Sequence, residues 1–203
     1  MILKNLFGRK RQEPAPPRHI QSAAAGTLTS GPDPRLPDFW HSQPLPIPLL
    51  NGTPVSVIYS GYVLGEEPDA LAEYDAALAD FLRLGAGERK RATPHVHKHC
   101  RAEVDTADWP GRAEVDAATV SPERVWEFVK PLNIYVERRL FNDMDIYVNV
   151  SCECAWDTEH GVALVFRQGK QLTRVGSNDG HLTDADALNV PDEQDALLSA
   201  WKG

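Results

Sequence analysis

Tyr147-Val148-Asn149-Val150-Ser151-Cys152-Glu153-Cys154-Ala155-Trp156-Asp157-Thr158-Glu159-His160-Gly161 is the stretch that decides how this chain folds. Its first half sets Val148 and Val150 in alternation with polar residues, the period-two pattern of a strand with one buried face. Residues two apart on a strand share a face, so Cys152 and Cys154 continue the row of Val148 and Val150, while Asn149, Ser151 and Glu153 face the other way. The two thiols are therefore expected in the core, where free cysteine acts as a small hydrophobe; i, i+2 positions on one strand are poor disulfide partners. Trp156 to Gly161 reads as a turn, in which Asp157 bonds nearby backbone and Gly161 takes a positive φ.

Working outward, Ile134, Val136, Arg138 and Leu140 alternate, Asn142 to Asp145 form a turn, and Ile146 starts the partner strand of an antiparallel hairpin. Downstream, Val162, Leu164 and Phe166 precede the turn Gln168-Gly169-Lys170 and a strand at Leu172 to Val175, giving a meander of four strands. Upstream, Val55, Val57 and Tyr59 mark another strand. Leu71, Tyr74, Leu78, Phe81 and Leu82 form one apolar helical face, with Gly85 as its stop. Thr93 and Pro94 suit the start of a second helix with Val96, Cys100 and Val104 inward. Ser121-Pro122-Glu123 suits a third, carrying Val125, Trp126, Phe128 and Val129 and closed by Pro131. Asp192 to Trp201 is expected as a short closing helix with Ala196, Leu197 and Trp201 inward. The predicted fold class is α+β: helices packed on an antiparallel β-meander in a single domain over residues 50–203.

Residues 1–48 are expected to be a disordered Pro-rich arm, because nine prolines from Pro14 to Pro48 break helices and cannot fill sheet ladders. Phe39-Trp40 and Leu45 to Leu50 carry enough apolar surface to dock in extended form on the domain. Met1 to Gln12 join Leu3, Leu6 and Phe7 to a basic run, too short to span a bilayer and suited at most to weak peripheral contact with an anionic membrane surface. The 203 residues, 42% hydrophobic and 25% charged, suit one globular domain. A formal charge of -8 argues against a general nucleic-acid binder and favours basic partners. Three cysteines without a cleavable signal point to a cytoplasmic location.

His95, His97, His99 and Cys100 are metal-ligating types, and His95 and His99 share a helical face. Val96 stands where an H-E-x-x-H zincin needs its glutamate, so the histidines are read as solvated. Zinc held by Cys152, Cys154 and His160, with Cys100 as a fourth ligand, has the right donor types but not the C-x-x-C spacing, and no cofactor is expected. Glu159 and His160 are chemically suited to general acid/base work, joined by Asp179 and His181 if the next loop folds over; the simpler reading is that they hold two loops together. No catalytic residue is assigned. The candidate binding residues are Trp156, Asp157, Glu159, His160, Gly161, Asp179 and His181. Arg101 to Asp105 recurs as Arg112 to Asp116, a coincidence rather than a repeat architecture.

The run from Val125-Trp126 through Ile134 to Arg139, then Cys152 to Gly161, Leu164 to Phe166 and Asp179-Gly180-His181-Leu182, resembles an uncharacterised family of bacterial domains of unknown function with a C-x-C-x-W-x-x-E-H-G signature and a terminal D-G-H-L. The likeness covers the C-terminal half well, the region from residue 50 loosely and the proline-rich head not at all. It brings no activity or catalytic residue with it. Related small domains look similar to immunity proteins encoded beside toxins, which implies, by analogy, a protein-binding or immunity/accessory role with a cognate toxin as partner. The rival is a metal-dependent or acid/base hydrolytic enzyme using the Cys152/Cys154/His160 region; binding is favoured over catalysis.

Overall fold

The computed structural model describes residues 16–31, 33, 35–65, 69–105 and 120–201. Within them nine strands build one mixed sheet: β1 (His19–Ser22), β2 (Gly26–Ser30), β3 (Trp40–His41), β4 (Leu45–Ile47), β5 (Thr53–Ser60), β6 (Val129–Arg138), β7 (Ile146–Cys154), β8 (Asp157–Arg167) and β9 (Gln171–Gly176). The order is β1-β2-β3-β5-β6-β7-β8-β9, with β4 also paired to β5. From β6 to β9 the expected meander holds. It is not purely antiparallel beyond that, because β5 and β6 run parallel, Ser56 to Ser60 alongside Asn133 to Glu137. Parallel neighbours need a long crossover, here α1 (Ala70–Phe81) and α2 (Ala86–Asp105).

The proline-rich segment is not a disordered arm where it is described. Residues 19–47 supply four strands, and Ile20, Leu28, Trp40 and Ile47 are buried. Prolines fit because they sit where a missing N–H is harmless: Pro46 of the edge strand β4 opposes Pro54, ahead of the point where β6 joins β5. Asp75 of α1 clamps this region, accepting from the Ser22 and Tyr59 hydroxyls and from the Ala23 amide at 2.8 Å. The basic segment 1–12 and the second pentapeptide at 112–116 lie outside the described residues.

Helix α1 presents Tyr74, Ala77, Leu78 and Phe81 to the sheet, as its spacing predicts. Helix α2 starts at Ala86 rather than at Thr93, and Pro94 lies inside it. The Thr93 hydroxyl donates to the Arg89 carbonyl (2.9 Å) and accepts from Trp126 Nε1 (2.8 Å), while the Arg89 guanidinium covers the Trp126 ring at 4.5 Å. Val96 and Cys100 are fully buried as expected. The third helix is instead one 3-10 turn, Val125–Phe128, leading straight into β6. Pro131 lies within that strand, at a register shift before Asn133 that accommodates a residue with no N–H to donate. The closing helix is likewise reduced to the 3-10 turn Asp192–Gln194, with Leu198 buried and Ala196 exposed.

The helix side of the sheet is an apolar core in which Val148, Val150, Cys152 and Cys154 line up with Val162, Leu164 and Phe166. Gly169, at the β8–β9 turn, has φ +66°, and a Cβ there would stand 1.9 Å from the Ala77 carbonyl oxygen of α1. Only glycine lets turn and helix approach this closely. On the opposite side Tyr147, Ala163, Val165 and Leu182 form a smaller cluster beneath the C-terminal segment, which contains α3 (Asp184–Leu188). Among the described residues no helix is long and apolar enough to cross a membrane.

Candidate functional site

The turn expected at Trp156 to Gly161 is displaced. Cys154 pairs with Asp157, so the chain reverses at Ala155-Trp156, and residues 157–161 already belong to β8 as an excursion before Val162 pairs with Cys152. Asp157 Oδ1 accepts from the amides of Glu159 (3.2 Å) and His160 (3.0 Å), closing an Asx turn. Gly161 has φ +72°, and a Cβ would meet the Cys152 carbonyl oxygen at 2.1 Å. Those two roles agree with the sequence. Trp156 departs from it: the side chain is fully buried, edge-on to His99 with ring centroids 6.4 Å apart, and so lies beneath any binding surface.

His99 is buried too, where a solvated histidine was expected, and among the described residues neither its Nε2 nor Trp156 Nε1 has a hydrogen-bond partner. His97 Nε2 reaches the Val120 carbonyl at 3.0 Å. Burial pushes the Cys152 and Cys154 thiols up to about 12, away from the thiolate a metal requires. Among the described residues no three His, Cys, Asp or Glu side chains are grouped as metal ligands, and His160 is exposed, away from the thiols in the core.

Each of the two candidate loops pairs its histidine with its own aspartate. His160 Nδ1 lies 3.4 Å from Asp157, and His181 Nδ1 lies 3.1 Å from Asp179. Among the described residues no hydrogen bond or ion pair joins Glu159 or His160 to Asp179 or His181. Asp179 answers to Arg174, a nearly buried guanidinium that also binds Asp184 and the carbonyls of Ser177 and His181. Burial works against the Asp179 carboxylate, but the hydrogen bonds and charge of Arg174 together with the hydrogen bonds from His181 hold the pKa below its ordinary value. These residues secure the C-terminal segment to the sheet.

A second buried guanidinium does the same at the β6–β7 turn. Arg139, 3% exposed, binds Asp192 (2.6 Å), Asp186 (2.8 Å) and Asp143 (3.1 Å). Asp143 also accepts from the Tyr147 hydroxyl, and Arg167 holds Asp145 at 2.6 Å while covering the Trp201 ring at 5.1 Å. Arg138 donates to the Met144 carbonyl and to Glu73 of α1, each at 2.7 Å. The turn is thus gripped from three directions. What it displays is apolar: Leu140 is 56%, Phe141 96% and Met144 46% exposed, and Phe141 (φ +72°) and Met144 (φ +61°) are left-handed. A bulky residue in that region is an outlier that the surrounding contacts must enforce.

Two clefts flank this turn. One, of about 340 Å³, lies at the carboxyl ends of β5 and β6 between Gly61-Tyr62-Val63 and Leu140; the other, of about 460 Å³, runs between α1 and Met144 to Ile146. Both are bordered by Arg138 and by residues of α1. On the opposite face of the sheet, where Glu137 pairs with Tyr147, burial raises the Glu137 carboxyl to about 7, against a lowering hydrogen bond from Asn149. In the sequence, Asn142-Asp143 marks the β6–β7 region as an ordinary polar turn. The available signal was the presence of Leu140, Phe141 and Met144 in a turn, where apolar residues have no core to join.

Fold and site together define an α+β domain with a mixed sheet and a rigid apolar turn offered to solvent. The chain matches, over residues 27–182, a family described as a domain of unknown function (DUF6985), and it belongs to that family. No curated protein and no solved structure matches it.

Proposed function

We propose that this domain is a protein-binding module that docks its partner through the β6–β7 turn. The observation that carries this reading is Phe141, almost wholly exposed in a left-handed conformation, on a turn whose polar side chains are locked by Arg138, Arg139 and Arg167. A solvent-exposed aromatic on a rigid support loses little conformational freedom on binding, the property shared by residues that dominate interfaces. The acidic surround, in which Asp143, Asp186 and Asp192 share Arg139, suits a basic partner, and an immunity or accessory role toward a basic toxin fits that preference. Glu159, His160 and His181 help to shape the surface without meeting one another, which gives the hydrolase reading little geometric support.

The test is co-purification of the intact chain with the product of the adjacent gene, in wild type and Phe141→Ser. Recovery with the wild type and loss with the variant is the expected result; equal recovery with both removes the turn as the docking element.

A further inference from the structure

We infer that the C-terminal segment, residues 177–201, regulates partner binding at the β6–β7 turn: Asp186 and Asp192 are positioning residues that hold the turn through Arg139 and Asn142, so that docking is tightest while the segment is seated on the sheet. This deepens the protein-binding reading and rests on it.

One guanidinium joins the two elements. Arg139 grips both oxygens of Asp186 through Nε (2.9 Å) and Nη2 (2.8 Å), and both oxygens of Asp192 through Nη1 (2.7 Å) and Nη2 (2.6 Å). Its contact with Asp143 of the turn is a single bond of 3.1 Å. Two-pronged contacts fix the orientation of a guanidinium as well as its distance, so the segment sets where Arg139 points and with it where Asp143 is held. Asn142, next to Phe141 in the chain, adds a direct contact of 3.3 Å from its Nδ2 to Asp186 Oδ1. The segment has its own seat on the sheet. Leu182 packs with Tyr147, Ala163 and Val165, Asn178 donates to the Ser151 hydroxyl at 2.8 Å, and Arg174 holds Asp179 and Asp184. Among the described residues it adds no strand to the sheet, so it can lift away while the strands stay paired. Once it lifts, Arg139 keeps Asp143 alone of its carboxylates and Asn142 loses its acceptor. Other side-chain ties of the turn, from Asp143 to the Tyr147 hydroxyl, from Arg138 to the Met144 carbonyl and from Arg167 to Asp145, all act beyond Asn142 in the chain. Phe141, at φ +72°, then sits beside the freed end of the turn, in a conformation that a bulky residue keeps only where its surroundings enforce it. Coupling of this kind is reciprocal: a ligand that favours the ordered turn favours the seated segment by the same factor.

The probe is a ten-residue synthetic peptide alternating leucine and lysine, its leucines suited to the apolar turn and its lysines to the acidic surround. Its affinity is measured by titration calorimetry, and amide hydrogen exchange is followed at residues 177–184, whose side-chain ties run to Arg174 and Ser151. In the intact wild type the peptide is expected to slow exchange there severalfold, a measurement that needs no variant. Asp192→Asn is expected to weaken binding about tenfold. Glu193→Gln removes an exposed neighbouring charge, leaves the Arg139 contacts in place and should bind as the wild type does. Asp186→Asn repeats the test at the other fork, and unchanged exchange over residues 148–166 shows that each variant is folded. Exchange at residues 177–184 that the peptide leaves unaltered, or equal weakening by Asp192→Asn and Glu193→Gln, overturns the regulation. Phe141→Ser keeps the two readings apart. If it abolishes binding while Asp186→Asn and Asp192→Asn bind as the wild type does, the turn docks and the segment does not regulate it. If Phe141→Ser binds as the wild type does, or the wild type does not bind the peptide, the docking reading falls and the inference falls with it.

Discussion

On the helix side of the sheet Phe166 meets Phe81 edge to face at 5.4 Å within a core of aliphatic, aromatic and cysteine side chains; on the opposite side Arg139 and Arg174 gather carboxylates from the C-terminal segment. Burying apolar area stabilises in proportion to the surface removed from water and is nearly indifferent to pH. A buried ion-pair network adds little net stability, because desolvating the charges offsets most of their attraction, yet removing one partner strands the others. The two faces therefore do different work. The apolar face supplies the strength of the fold, and the charged face fixes position: it secures the C-terminal segment and holds the β6–β7 turn in the strained geometry that exposes Phe141.

The comparison is broken most forcefully by attacking each face in turn. Phe166→Ala should lose about 3–5 kcal/mol through lost transfer energy and a residual cavity, with the same loss at pH 5 and pH 8 in urea unfolding. Strong pH dependence of that loss would mean that the helix face is not purely apolar in its energetics. Arg139→Met should lose about 3–5 kcal/mol at pH 7, since Asp186 and Asp192 lose their cation and Asp143 keeps only Arg167 at 3.5 Å. The Arg139 hydrogen bonds hold the Asp192 carboxyl below its ordinary value. Stability from that pairing is present above the unfolded carboxylate pKa and is lost as pH falls through the lower folded value. Wild type and variant should then converge toward pH 3, and a gap unchanged by acid would contradict the network account.

Glu137 has the opposite sign. Its folded pKa is raised from 4.5 to about 7, so the folded state favours the protonated form; that stability is present below pH 4.5 and lost as pH rises through 7. Glu137→Gln imitates the neutral form and should stabilise by about 1–2 kcal/mol at pH 8, after discounting the shift for partial exposure, and by almost nothing at pH 4. Thermal denaturation at the two pH values reads this directly. The smallest effect is at the turn: Phe141→Asn should raise stability by about 0.5–1 kcal/mol, because asparagine tolerates the left-handed conformation, while abolishing partner binding. A loss of stability there would show that Phe141 contributes packing to the fold.

Much of the apolar face was legible in the sequence because it is written in local periodicity. Val148, Val150, Cys152 and Cys154 fall on one row, Tyr74, Leu78 and Phe81 on one helical face, and Gly161 at a position where a Cβ has no room. The charged face was not, because its pairs join positions that no local pattern links, such as Arg139 with Asp186 and Asp192. The parallel pairing of β5 and β6 was hidden for the same reason, since their partnership spans the whole helical crossover. Prolines misled in the other direction: Pro46 signalled disorder, whereas the edge strand β4 accepts it opposite Pro54. The candidate residues from Trp156 to His181 drew attention by chemical type, but their geometry makes them structural first, with Trp156 in the core and Asp157 and Asp179 organising their own loops.

Amide hydrogen exchange of wild type and Arg139→Met at pH 7 tests most directly whether the charged face is what positions the turn. In the wild type the Arg139 amide is bonded to the Asp145 carbonyl and the Asp145 amide to the Asp143 side chain, each at 3.0 Å. The account predicts that the variant exchanges faster over residues 139–145 and 177–201 while residues 148–166 of the central strands keep their protection. Unchanged protection of the turn, or loss of protection in the central strands together with it, would contradict the division between the two faces.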